Sequence, residues 1–154
     1  MRVKTVFKNA VKAHLKKLEA LFEAELASVI QQYAVGTAKC LQIEYDAQSF
    51  DTHFSVCLFA IDADANLVGK VHWFLEDTAV VVPEEIYTSE QFEDIEPSIT
   101  ASSVLENWLI KRWAAVGNHQ LPAYLSHHDS YFKRNIATGV EINWDNIMKE
   151  INGL

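Results

Sequence analysis

Proline and glycine are scarce, with three and five residues in a chain of 154. The glycines, Gly36, Gly69, Gly117, Gly139 and Gly153, are all isolated, which excludes a Gly-rich loop that cradles phosphate. There are two cysteines, Cys40 and Cys57, with no matching histidine spacing, so a zinc site is excluded. Both fall in expected strands, where a free thiol acts as a small hydrophobe. No apolar run approaches the roughly 20 residues that span a bilayer. The basic N-terminus lacks the apolar segment and small-residue cleavage site of a secretory signal. The cytoplasm is therefore the expected compartment, and a disulfide is not expected there. Ser55, Ser102 and Ser103 lack the context of a nucleophile elbow. No cofactor and no stoichiometric metal are expected.

What is present is globular. Nearly half of the residues are apolar, and the length suits one domain. The centre of the pattern is His53 to Leu75. The run from His53 to Ile61 is rich in Val, Phe and Leu, as strands are. Asp62 to Asn66 interrupts it with turn-forming side chains, and a second apolar run, Leu67 to Leu75, follows. A five-residue loop pairs Ile61 with Leu67, Phe59 with Gly69, Cys57 with Val71 and Ser55 with Trp73. That face is expected to be the covered one. The other pairs Ala60 with Val68, Leu58 with Lys70, Val56 with His72 and Phe54 with Phe74, and is expected to be partly covered. On this register Trp73→Ala should cost about 3–5 kcal/mol, as truncating a buried aromatic does. Asp62, Asp64 and Asn66 match the start of an EF-hand loop, but Leu67 and Trp73 stand where Gly and Glu are required, so a turn is the expectation.

Val6 to Tyr33 reads as one long helix. Phe7, Val11, Leu15, Leu18, Phe22, Leu26, Val29 and Tyr33 recur at steps of three and four, the spacing of one helical face. Core packing of this stripe is preferred over a homodimer formed through it. Lys39 to Asp46 alternates as a half-exposed strand, with Leu41, Ile43 and Tyr45 on one face and Gln42 and Glu44 on the other. A short strand is expected within Ala79 to Val82. A helix is expected from about Ala101 to Val116, capped near Thr100 or Ser103 and stopped by Gly117. Ala123 to Leu125 is expected to be extended, Tyr131 to Ile136 a helical turn and Thr138 to Asn143 a strand. Trp144 to Ile151 closes as a helix with Asn143 as its N-cap. The expected fold is a single α+β domain spanning 1–154: a three- to four-stranded antiparallel β-meander packed against the long N-terminal helix and C-terminal helices.

Charge is the unusual feature. Residues 1–17 hold six basic side chains and no acidic one, leaving seven basic against 21 acidic residues in the remainder. The stretch from Glu76 to Glu96 has eight acidic residues and no basic one. This excludes a nucleic-acid surface there, because such surfaces need cations against phosphate. It suits a basic protein partner. Isolated apolar residues are interleaved, and aromatic anchors among charges are a common interface design. The candidate partner-binding residues are Glu84, Glu85, Tyr87, Glu90, Phe92, Glu93, Asp94 and Glu96, with a short helix expected around Ser89 to Asp94.

A competing site is a His/Asp cluster of His119, His127, His128 and Asp129, with His72 as a further member. Histidine and carboxylate are the usual acid–base and metal-binding groups, which would make the chain a small hydrolase or metal-dependent enzyme. The spacing matches no ligand motif, and neighbouring His127 and His128 point apart on any regular element. In size, acidity and helix-plus-meander layout the chain resembles the small immunity proteins that neutralise bacterial toxins. That resemblance implies a non-enzymatic binding protein whose carboxylates stand in for substrate phosphates in a basic toxin cleft. It carries over no individual residue.

Overall fold

A computed structural model of the chain describes residues 2–33, 36–46, 53–75, 80–81, 84–88, 92, 95–117, 119–128 and 130–154. The first helix, α1 (Arg2–Tyr33), buries Phe7, Val11, Leu15, Phe22, Leu26 and Val29, and Leu18 packs partly against the same core. Lys12, Lys16 and Lys17 stay exposed. The apolar stripe is therefore packed against the core of its own chain.

Three strands follow: β1 (Cys40–Asp46), β2 (His53–Ile61) and β3 (Leu67–Trp73). The β2–β3 turn is held by Asp62, whose Oδ1 accepts the backbone N–H groups of Asp64 and Asn66, each at 2.9 Å. This is the side-chain-closed turn expected of Asp at that position, not a calcium loop. Ile61 pairs with Leu67 and Ala60 with Val68 as expected. Beyond them the register slips, so that Leu58 faces His72 and Cys57 faces Trp73. Gly69 sits in this irregularity at φ +75°, a conformation that costs other residues more. The expected pairs of Leu58 with Lys70 and Cys57 with Val71 are thus displaced.

The covered face is also the reverse of the one expected. Phe54, Val56, Leu58, Ala60 and Phe74 are buried, whereas Trp73 is 45% exposed. The physical reason is that α1 and the later helix α3 (Pro97–Val116) both cover the Phe54–Phe74 side. Phe22 of α1 lies 4.5 Å from the Phe74 ring and 4.9 Å from Trp108 of α3, centroid to centroid.

A two-residue strand, β4 (Val80–Val81), pairs with His53 and Phe54 at the start of β2. Next come a short helix, α2 (Glu84–Thr88), and then α3 (Pro97–Val116). The helix expected around Ser89 to Asp94 falls outside the described residues, apart from Phe92. α3 begins a turn earlier than expected. Pro97 occupies its first turn, where the fixed φ and the missing N–H cost nothing, and neither Thr100 nor Ser103 serves as the cap. Gly117 ends it at φ +66°.

The largest departure from the expected meander follows. β5 (Ala123–His127) lies parallel to β1, with Leu41 opposite Ala123 and Tyr45 opposite His127. β6 (Phe132–Asn135) and β7 (Glu141–Asn143) extend the sheet antiparallel. The result is a mixed sheet in the order β3-β2-β1-β5-β6-β7 with β4 attached to β2, larger than the three- to four-stranded antiparallel meander. Phe132–Asn135 lacks alternation and reads as a turn in isolation, but pairing to β5 makes it a strand.

β1 is therefore central, and Gln42 is 1% exposed rather than half open. The last helix, α4 (Trp144–Ile151), starts at Asn143, whose Oδ1 accepts the Asn146 N–H at 2.9 Å. It covers part of the second sheet face, where Cys40, Ile61, Tyr124 and Ile147 form a smaller buried cluster. Among the described residues no helix is long and apolar enough to cross a membrane.

Candidate functional site

Of the acidic stretch, Phe92, Ile95 and Glu96 lie beside the N-terminal half of α1. Glu84 and Glu85 are exposed in the first turn of α2, where carboxylates also favour the positive end of the helix dipole. Ile86 is half-buried against the core. Phe92 is 4% exposed and meets Phe7 edge-on at 5.2 Å. Its ring is committed to the core, so it is no surface anchor. Glu96 is exposed at the N-cap of α3, and its carbonyl accepts the Thr100 N–H at 3.0 Å. Lys4 of α1 shares a shallow hollow with Ile95, Glu96 and Ile99, so part of the basic N-terminus faces this surface. Glu90, Glu93, Asp94 and the side chain of Tyr87 lie outside the described residues.

The histidines are not brought together. His119 stacks on Trp113 at 3.8 Å and its Nε2 lies 2.7 Å from the Trp113 carbonyl, near the start of β5. His127 and His128 lie at the other end of that strand. His72 contacts Glu25 of α1 through Nε2 at 2.7 Å, and Glu25 also accepts the Leu75 N–H at 3.1 Å. Asp129 is outside the described residues. Among the described residues no group of three or more His, Cys, Asp or Glu side chains is placed to hold a metal.

The parallel pairing of β1 with β5 instead builds a polar row on the second sheet face. Glu44 lies opposite Ser126. Its carboxylate meets His128 Nδ1 at 3.2 Å and Lys133 Nζ at 3.9 Å, and Lys133 donates to Ser126 Oγ at 3.2 Å. Lys133 also lies 6.0 Å from the Trp144 ring centroid. Glu44, His128, Cys57, Ser55 and Trp73 edge a hollow of about 100 Å³, below the roughly 300–1,000 Å³ of ordinary ligand pockets.

Burial, with the nearby Glu44 charge, pushes the Cys57 thiol up to about 11. A protonated, buried thiol is a poor nucleophile. Burial likewise pushes Cys40 up to about 11. Gln42 donates weakly to Cys40 Sγ at 3.6 Å, and its buried Oε1 has no partner among the described residues. On the opposite face Tyr45 donates to Glu106, and burial followed by that carboxylate raises the phenol's pKa. Arg134 Nε meets the same carboxylate at 3.2 Å.

The chain matches no protein-family model, no curated protein and no solved structure. The reading of its surfaces therefore rests on geometry and charge.

Sequence inspection missed the Glu44–Ser126–Lys133 row, because its members become neighbours only through a pairing between distant strands. It also missed a groove at the far sheet edge. This groove has a volume of about 480 Å³ and is bordered by β7, the β6–β7 turn and α4.

Proposed function

We propose that the chain is a non-enzymatic protein-binding module of the immunity type. It engages a basic partner, a toxin domain, in the cytoplasm of the producing bacterium. The observation that carries this reading is the charge balance: 21 acidic residues against seven basic ones outside the first 17 positions. Exposed Glu84, Glu85 and Glu96 support it. So do the separate structural contacts of His72, His119 and His128, which occupy the groups that an acid–base centre would use. With Phe92 in the core, Tyr87 is the aromatic anchor retained from the acidic stretch.

A field of one sign speeds encounter with an oppositely charged protein and is screened by salt over about 8 Å at physiological ionic strength. The test is partner capture from the source cell, followed by surface plasmon resonance at low and high salt. The expected partner is basic, and its association slows as salt rises. Glu84→Lys with Glu85→Lys should mainly lower the on-rate. Tyr87→Ala should mainly raise the off-rate, by about 2 kcal/mol at a hot spot. An acidic partner, or one whose association ignores salt, overturns the reading.

A further inference from the structure

We propose that the open edge of β7, with the groove beside it, is where an extended basic segment of the partner adds as a further strand. The proposal rests on the basic-partner reading and adds a contact at the sheet edge opposite β3. In the order β3-β2-β1-β5-β6-β7, β7 ends the sheet and pairs with β6 alone among the described residues.

The free backbone groups follow from the ladder. The Asn135 N–H donates to the Val140 carbonyl at 2.9 Å, so this pair is hydrogen-bonded. Bonded and non-bonded pairs alternate in an antiparallel ladder. The pairs Arg134–Glu141 and Phe132–Asn143 are therefore non-bonded. That turns the N–H and carbonyl of Glu141 and the N–H of Asn143 away from β6, toward the open side. Such groups accept an added strand, and pockets beside them select its side chains.

The groove supplies that selection. Phe132 and Val140, 52% and 63% exposed, offer apolar contact at its border. Its charged lining is acidic: Glu141 and Glu150 line it, and no Lys or Arg does among the described residues. Glu150 is held in place by the buried Tyr124, whose hydroxyl donates to Oε2 at 2.5 Å. Arg134, opposite Glu141 in the ladder, is bonded to Glu106 and to the Gly139 carbonyl. Alternate side chains of an added strand point to the same face. By the register Phe132 and Glu141 share one face, and Val140 lies on the other with Glu150 of α4. Each face of an added strand that carries both apolar and cationic residues therefore meets one apolar side chain and one carboxylate.

The test uses the full chain and a short end-capped peptide of lysine and valine ordered so that each face carries both, followed by amide NMR shifts and fluorescence anisotropy. Saturable shifts confined to the region of 140–150, with binding about tenfold or more weaker in Glu141→Lys, are expected; tenfold corresponds to about 1.4 kcal/mol. Glu141→Pro removes the outward N–H at an edge position where proline is tolerated, and should abolish binding while the remaining spectrum stays folded. Asp64→Lys, the same charge change on an exposed turn, should leave binding unchanged. Shifts centred on Glu84 and Glu85 overturn the groove and leave the basic-partner reading intact. No binding, or equal binding of a glutamate–valine peptide, overturns the groove as well. A captured partner that binds without salt dependence overturns the parent reading, whatever the peptide does.

Discussion

On the α1–α3 side of the sheet, Leu41, Ile43, Val56, Leu58 and Leu125 are each no more than 2% exposed. On the other side the same strands carry Gln42, Glu44, Cys57 and Ser126, and the eight-residue α4 packs there on Cys40, Ile61 and Tyr124. One face is a continuous apolar core under two long helices. The other is apolar where α4 lies, and elsewhere Glu44, His128, Lys133 and Ser126 pair with one another. Alternation along a central strand thus records how much cover each face receives, not simply which face meets water.

The contrast predicts unequal costs for aromatic truncation. Phe22→Ala, which removes the ring between Phe74 and Trp108, should cost about 3–5 kcal/mol in a denaturant melt. Gly69→Ala should cost about 2 kcal/mol. Its φ of +75° disfavours a side chain, and the added Cβ would stand 3.3 Å from the Tyr33 ring. A loss much below this would mean that the β3 irregularity is not needed to set the faces. Trp73→Ala, on the less covered face, should cost about 1 kcal/mol; a loss as large as that of Phe22→Ala would erase the distinction between the faces.

The smallest expected effect is on pH dependence. Burial and then the neighbouring Lys17 charge lower the pKa of His14 from its ordinary value near 6.5, and its Nε2 is buried without a partner among the described residues. The unfolded chain therefore takes up this proton first as pH falls. The stability contributed by neutral His14 is full above about 6.5 and is lost as pH drops below it toward the folded pKa. Melts at neutral and mildly acidic pH should show a shallower decline for His14→Leu than for the parent chain.

How far the fold can be read from the chain follows from the range of each interaction. The stripe from Phe7 to Val29, the Asp62 turn and the Asn143 cap are local patterns, and each was legible. The hairpin faces were not, because the slip at Gly69 depends on Tyr33 and α1 lying over that edge. Strand β6 was not, because Phe132–Asn135 is extended only through its pairing with β5. At the candidate surfaces, the excess of carboxylates was plain in the sequence. The burial of Phe92 against Phe7 was not, since an aromatic among glutamates looks the same whether it points inward or outward. The β7 groove left no signal at all, since it exists only where three short elements meet.

The parallel pairing of β1 with β5 also shapes the order in which the chain can be assembled. Leu41 and its partner Ala123 are separated by more than half of the chain, so the β1–β2–β3 ribbon is complete long before β5 leaves the ribosome. During that interval β1 is an uncovered edge with Leu41 and Ile43 on it, a ready template for another chain. Distant pairings are slow to close. The step that joins β5 to β1 is thus expected to limit folding and to set the window in which the nascent chain is most open to aggregation.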